Sequence, residues 1–306
     1  MRWLSGFWRT SRTPEGEAPL SDPGRRALLR RLEIQSRREL ATHLAGEMRS
    51  RLRGRGMEFA GLRPYQPGDD IRDIDWNVTA RNGTPHIRLY RQERSRPLTL
   101  VVDRSPSCSG PLHRLQLRCA SLLAFASVAN RDQLALVRFG EKVEQLLPPG
   151  AGRQHALTLL HHLTTSSQST TTDLTPALEA ALALNRRPGM ILLISDFHAP
   201  LPEALLRRLT ARHDLVALVL RDPAESSPHP EGLLRLRTRE GGEKMLLDLS
   251  SSSRCAAVSE AWVTHDAALF AELRRLGVDP LRLEAGNDPL PPLLQFFRRR
   301  PATARR

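Results

Sequence analysis

Leu98-Thr-Leu-Val-Val-Asp103-Arg-Ser105-Pro-Ser107 is the stretch whose reading decides the fold. Leu98–Val102 is a short apolar run with no polar alternation. Such a run suits a strand covered on both faces, as in a parallel sheet. It ends on a carboxylate, and Asp-x-Ser-x-Ser then follows. Open parallel sheets bind ligands just beyond the carboxyl ends of their strands, so these three side chains stand where a ligand would be met.

Working outward, the chain alternates helix and strand. Helices are expected over Leu112–Asn130, Arg153–Leu163, Leu174–Asn185, Pro202–Arg212 and Glu260–Leu276. Strands are expected over Leu134–Phe139, Val143–Leu147, Met190–Ser195, Leu215–Leu220 and Leu281–Glu284. This order predicts an α/β fold over residues 97–286, with a doubly wound, mostly parallel sheet and helices on both faces. Leu233–Arg237 and Met245–Leu249 flank Gly241-Gly242 and read as an extra hairpin.

Upstream, residues 25–96 combine a helix, from Arg25 to about Arg51, with a small β-rich unit. Asn82-Gly83 predicts a hairpin joining Trp76–Arg81 to His86–Tyr90. Trp76 is expected to be a packing anchor against the main domain. Asp69, Asp70, Asp73 and Asp75 interleave with Arg63, Arg72 and Arg81, as in a loop held by Asx-turns and Arg–carboxylate pairs. Residues 1–24 read as a disordered lead, and residues 287–306 as a basic tail that frays beyond Phe297.

The 306 residues carry 46 basic and 33 acidic side chains, a formal charge of +13, and nearly all the basic ones are Arg. A surface of that sign attracts acidic partners. A basic nucleic-acid-binding protein is the alternative reading, but the Arg-rich segments lack interleaved aromatics for base stacking. The three cysteines, Cys108, Cys119 and Cys255, form no Cys-x-x-Cys pair, which speaks against a zinc site and suits a reducing compartment. No apolar run is long enough to cross a membrane, so a cytoplasmic protein is expected. Neither a phosphate-binding Gly-rich loop ending in Lys nor a Gly-x-Ser-x-Gly elbow is present.

Two further segments join Asp103, Ser105 and Ser107. Thr172-Asp173-Leu174 opens a helix, and Ser195-Asp196 ends a strand. Asp103, Ser105, Ser107, Thr172 and Asp196 make an all-oxygen set. Mg²⁺ and Mn²⁺ take six oxygens in octahedral geometry, so five protein groups leave one position for an outside ligand. The competing reading is that Asp103 and Ser105 only cap the next helix. A metal-dependent hydrolase is less favoured, because His198 is the one acid–base candidate nearby. His161-His162 reads as a solvated helix end.

In order and strand-end placement, the five residues resemble the metal-ion-dependent adhesion site of von Willebrand factor A domains. Thr172-Asp-Leu-x-x-Ala177-Leu178 fits that family's threonine segment. A longer signature covers about residues 28–285: Gly56-x-Glu58-Phe59, Arg63-x-Tyr65-x-x-Gly68-Asp69-Asp70, Ile74-Asp75-Trp76 and Ser195-Asp-Phe197. It is similar to the bacterial "domain of unknown function 58" family. That resemblance implies a von Willebrand factor A-like fold and a non-enzymatic, metal-dependent adaptor or assembly factor. It also implies a MoxR-type AAA+ ATPase partner, and an ion under-neutralised by two carboxylates favours an acidic residue of such a partner as its sixth ligand. Cys108 departs from the family's usual Met and is expected to pack as a small apolar residue.

Overall fold

A computed structural model describes residues 23–43, 58–66, 69–70, 73–91, 97–167, 169–226, 232–237 and 244–300. Its centre is a six-stranded sheet of β3 (Leu98–Asp103), β4 (Leu134–Phe139), β5 (Val143–Gly150), β6 (Met190–Ser195), β7 (Asp214–Arg221) and β10 (Asp279–Glu284). The spatial order is β10-β7-β6-β3-β4-β5. All neighbours are parallel except the edge strand β5, which runs antiparallel to β4. The expected α/β class and mostly parallel sheet are therefore seen.

Successive strand residues point to opposite faces, which divides the core in two. Leu98, Leu100 and Val102 face one layer with Leu192 and Ile194. Helices α1 (Pro23–His43), α3 (Pro111–Asn130), α4 (Arg153–Thr164) and α9 (Leu290–Arg299) cover that layer, to which β4, β7 and β10 also contribute. Val101, Val137, Ile191 and Leu193 face the other, with α5 (Leu174–Leu184), α6 (Glu203–Thr210) and α8 (Ser252–Arg275); the short helix α7 (Pro223–Ser226) follows β7. Burial on both faces explains why these strands read as unbroken apolar runs.

Helix α1 belongs to the first layer. Its Ser36 hydroxyl donates to Ser121 Oγ on α3 at 3.0 Å. Arg153 on α4 grips Glu33 with two bonds of 2.6 and 2.7 Å, which hold the Glu33 carboxyl below its ordinary range. The expected continuation toward Arg51 falls outside the described residues, as does the expected lead of residues 1–24 apart from Pro23 and Gly24, which open α1 instead.

Residues 287–300 differ from the expected frayed tail, whose last residues, 301–306, lie outside the described residues. Leu290–Arg299 is a helix, and Leu290, Leu293 and Phe297 are buried beneath its Arg run. Arg300 then bonds Asp279 at 2.6 Å and Asp214 at 3.1 Å. The basic residues distract from an apolar stripe at helical spacing, and that stripe docks the segment.

The hairpin expected at Asn82-Gly83 is also corrected. Trp76–Asn82 forms helix α2: the Asp75 side chain accepts from Asn77 and Val78 N–H, and Gly83 caps the end at φ 71°. A positive φ serves a helix C-cap as well as a tight hairpin, so the dipeptide signals both. Strand β2 (His86–Arg91) pairs instead with β1 (Glu58–Pro64). As expected, Arg63 holds Asp69 through two bonds of 2.7 Å. The hairpin of β8 (Gly232–Arg237) and β9 (Lys244–Leu249) forms as expected.

Trp76 is not a packing anchor, because 64% of its surface is exposed. It occupies the first turn of α2, which buries none of its residues. Trp76→Ala is therefore expected to change stability by less than about 0.5 kcal/mol. Denaturant unfolding checks this, and a loss above about 2 kcal/mol would mean that the ring is covered in solution.

Candidate metal centre

Strands β3 and β6 lie side by side, with Val102 level with Ile194. From β3 the chain builds toward β4 and β5; it then returns to β6 and builds toward β7 and β10. After β3 it enters α3 on one face, and after β6 it enters α6 on the other. The two loops diverge and leave a crevice at the point where the strand order reverses. Asp103 and Asp196 sit at its mouth.

Asp103 is fully buried. Its Oδ1 accepts from the Ser105 N–H at 2.9 Å, and its Oδ2 accepts from the Ser195 hydroxyl at 2.6 Å. Ser195 Oγ in turn accepts from the Phe197 N–H at 3.0 Å. Ser105 Oγ and Ser107 Oγ are 3.0 Å apart. The competing cap reading is corrected: helix α3 starts at Pro111 with Gly110 as its N-cap, and no side chain caps it. Asp103 shapes its own loop and does not cap the helix.

Asp196 is 2% exposed. Its Oδ1 accepts from the His198 N–H at 3.3 Å, while Oδ2 is buried with no hydrogen-bond partner among the described residues. The turn after it is strained, since Phe197 adopts φ 55°. A non-glycine residue pays for that conformation only where packing enforces it, and the Phe197 ring is buried in the second core layer. The Cys108 thiol completes the pocket. One ligand atom each from Asp103, Cys108 and Asp196 lie within 4.8 Å of one another.

Two carboxylates in one buried pocket disfavour each other's charge. Burial, and then the charge of Asp196, push the Asp103 carboxyl up to about 6. Hydrogen bonds from Ser195 and Ser105 oppose the rise without cancelling it. The buried guanidinium of Arg221 does not relieve the pair. Arg221, 2% exposed, donates through Nη1 to the Asp196 carbonyl, but its Nε and Nη2 bond Asp266 Oδ1 at 2.9 and 2.7 Å. Arg282 adds a 2.9 Å bond to Asp266 Oδ2. Arg221 thus grips the loop's backbone while Asp266 takes up its charge.

The rim beside Asp196 is aromatic. His198 Nε2 stands 4.0 Å from Asp196 Oδ2. Its ring lies 5.6 Å from that of Trp262 and 6.5 Å from that of His265, and the Arg221 guanidinium covers Trp262 at 5.4 Å.

Thr172 is half-buried at the same sheet edge. The Asp173 N–H bonds the Gly140 carbonyl at 2.9 Å, and the neighbouring Phe139 carbonyl takes the Arg104 N–H at 2.6 Å. Asp173 also caps α5 through the Thr175 N–H at 2.8 Å. Gly140 makes this approach feasible: a Cβ there would stand 2.2 Å from Ser169 Oγ. The structure thus gathers Asp103, Ser105, Ser107 and Asp196 around one crevice and brings the Thr172 loop to the edge beside it.

Sequence reasoning missed three contributors. Ser195 bridges the two strand ends, and Arg221 and Asp266 brace the Asp196 loop from 45 residues apart. The signal for Ser195 was its position before Asp196; no local spacing links α8 to β7. Cys108 was expected to be mere packing, yet it faces both carboxylates. His161 and His162 are half-buried, not solvated; burial lowers His162 to about 4.

Residues 61–267 match the family described as "Protein of unknown function DUF58". An uncharacterised protein of Mycobacterium tuberculosis, Rv1480, is 32% identical over 297 residues, which span 93% of each chain. An uncharacterised protein of Mycobacterium avium, MAV169, is 28% identical over 166 residues, covering 52% of this chain and 98% of that one. Among solved structures, an aerotolerance-related membrane protein from Bacteroides fragilis aligns with 67% of this chain and 98% of its own, at 13% identity and a TM-score of 0.44. Among the described residues, no helix is long and apolar enough to cross a membrane.

Proposed function

Given that the chain belongs to the DUF58 family, of unknown function, we propose from its site that it is a non-enzymatic, metal-dependent protein-binding module that works as an adaptor or assembly factor. The observation that carries this reading is the buried Asp103–Asp196 pair, with Asp196 Oδ2 lacking a hydrogen-bond partner among the described residues. Buried charge without a counter-charge is costly, so such a pocket fits a cation. Asp103, Ser105, Ser107, Thr172 and Asp196 would hold Mg²⁺ or Mn²⁺. When bound, the ion supplies a positive point charge with a coordination position open to an outside oxygen ligand.

Support for a von Willebrand factor A-like reading comes from placement. Asp-x-Ser-x-Ser follows β3, Thr172 precedes α5 and Asp196 follows β6, all on one sheet edge. The chain's own part is to set the hydroxyls, aim the carboxylates and brace the Asp196 turn through Arg221. The partner of choice is a MoxR-type AAA+ ATPase presenting an Asp or Glu. A carboxylate at the ion gives direction and specificity, whereas the basic surface speeds encounter and is screened by salt.

Binding of the purified ATPase to the full chain tests this. Chelator, Thr172→Ala and Asp196→Ala should each weaken the complex at any salt concentration, while added salt should mainly slow association. An ATPase that binds equally well under all three conditions removes the metal site as the docking point.

A further inference from the structure

We infer that the same centre takes a thiophilic divalent cation of the Zn²⁺ or Co²⁺ class, with Cys108 Sγ as a protein ligand beside the carboxylates of Asp103 and Asp196. This rests on the metal reading above and changes the class of ion. Cys108 is fully buried, and the short turn from the Ser105 carbonyl to the Cys108 N–H, 3.1 Å, folds it back toward Asp103. Its thiol shares the 4.8 Å cluster with both carboxylates. Asp196 adds a second sign of a missing ligand, a side chain only 3% exposed whose Oδ2 has no hydrogen-bond partner among the described residues.

Two carboxylate oxygens and one sulfur are a poor set for Mg²⁺, which wants oxygen alone. They suit Zn²⁺, which accepts sulfur and oxygen together and leaves a fourth position for an outside ligand. Affinity for a mixed site also rises from Mn²⁺ to Co²⁺ and Zn²⁺. On binding, the S–H bond gives way to an S–metal bond and the proton leaves to solvent. Cys119 and Cys255 cannot substitute, because the former is buried within α3 and the latter lies 3.9 Å from the Leu249 carbonyl.

Co²⁺ titration of the full chain, reduced with a phosphine, tests the assignment. The wild type should develop a near-ultraviolet sulfur-to-cobalt absorption band. Cys108→Ser should lose the band, and its Zn²⁺ affinity should fall at least about tenfold, since even outer-shell changes cost about that much. Its Mg²⁺ response should stay within about twofold, because oxygen ligands carry that ion. The double variant Cys119→Ala/Cys255→Ser keeps Cys108 as its only thiol and should retain the band, which decides the matter even if Cys108→Ser does not fold. Co²⁺ binding without a band, or a band that survives in Cys108→Ser, overturns the thiolate and leaves the oxygen site standing. If neither Co²⁺ nor Mg²⁺ binds the wild type, this inference fails together with the metal reading.

Discussion

Asp103→Asn should stabilise the metal-free protein by up to about 3 kcal/mol at pH 7.5 and abolish its stabilisation by Mg²⁺ or Mn²⁺. Asp103 is fully buried and its carboxyl is pushed up from 3.8 to about 6. The folded state therefore favours the protonated form more than the unfolded state does. That advantage is complete below the unfolded value and is lost as the pH rises through the folded one. Above pH 6 the wild type carries a buried charge that a bound cation would relieve, whereas Asn carries none at this position. The side chain that destabilises the empty centre is thus the one that would bind the ion.

The measurement is denaturant unfolding in chelator at pH 4.5 and 7.5, repeated with Mg²⁺. The variant-minus-wild-type difference isolates Asp103. Burial lowers His113 and His162 to about 4, so they gain stability as the pH rises, but they do so in both proteins. A difference that does not grow with pH, or an Asn variant that still responds to Mg²⁺, would sink the assignment.

Asp266→Ala is expected to cost roughly 3–5 kcal/mol, the penalty for removing one partner of a buried pair. It strands Arg221, 2% exposed, and takes from Arg282 its 2.9 Å bond to Asp266 Oδ2. It should also weaken the response to Mg²⁺ or Mn²⁺, because Arg221 holds the Asp196 carbonyl. The double variant Arg221→Met/Asp266→Leu replaces the pair with apolar groups and should recover most of the stability, since the pair's net worth is small. It should not recover the metal response, which needs the Arg221 bond to the loop. A single-variant loss below about 1 kcal/mol would show that water reaches Arg221.

Much of the fold and part of the candidate site follow from local pattern. Leu98–Val102 and Ile191–Ile194 are buried on both faces, so their apolar runs are unbroken, and each ends on the group that faces the crevice. The α9 helix was obscured because prolines stand in its first turn and an Arg run closes it, although three buried apolar positions suffice to dock it. At Gly83 one positive φ satisfies two kinds of local structure, and only the Asp75 cap selected the helix.

The sequence by itself determined the α/β alternation, the mostly parallel sheet and the strand-end positions of Asp103 and Asp196. Periodicity encodes which face a residue presents, and a change of element encodes where a strand stops. Tertiary structure alone decided that Asp103 would be fully buried, that Ser195 would bridge it to the next strand and that Cys108 would face both carboxylates. It also decided that Asp266 would take up the charge of Arg221 across 45 residues. The physical reason is that burial and ion pairing depend on which strands and helices become neighbours. The order β7-β6-β3-β4 brings together segments whose separation along the chain carries no trace of that meeting.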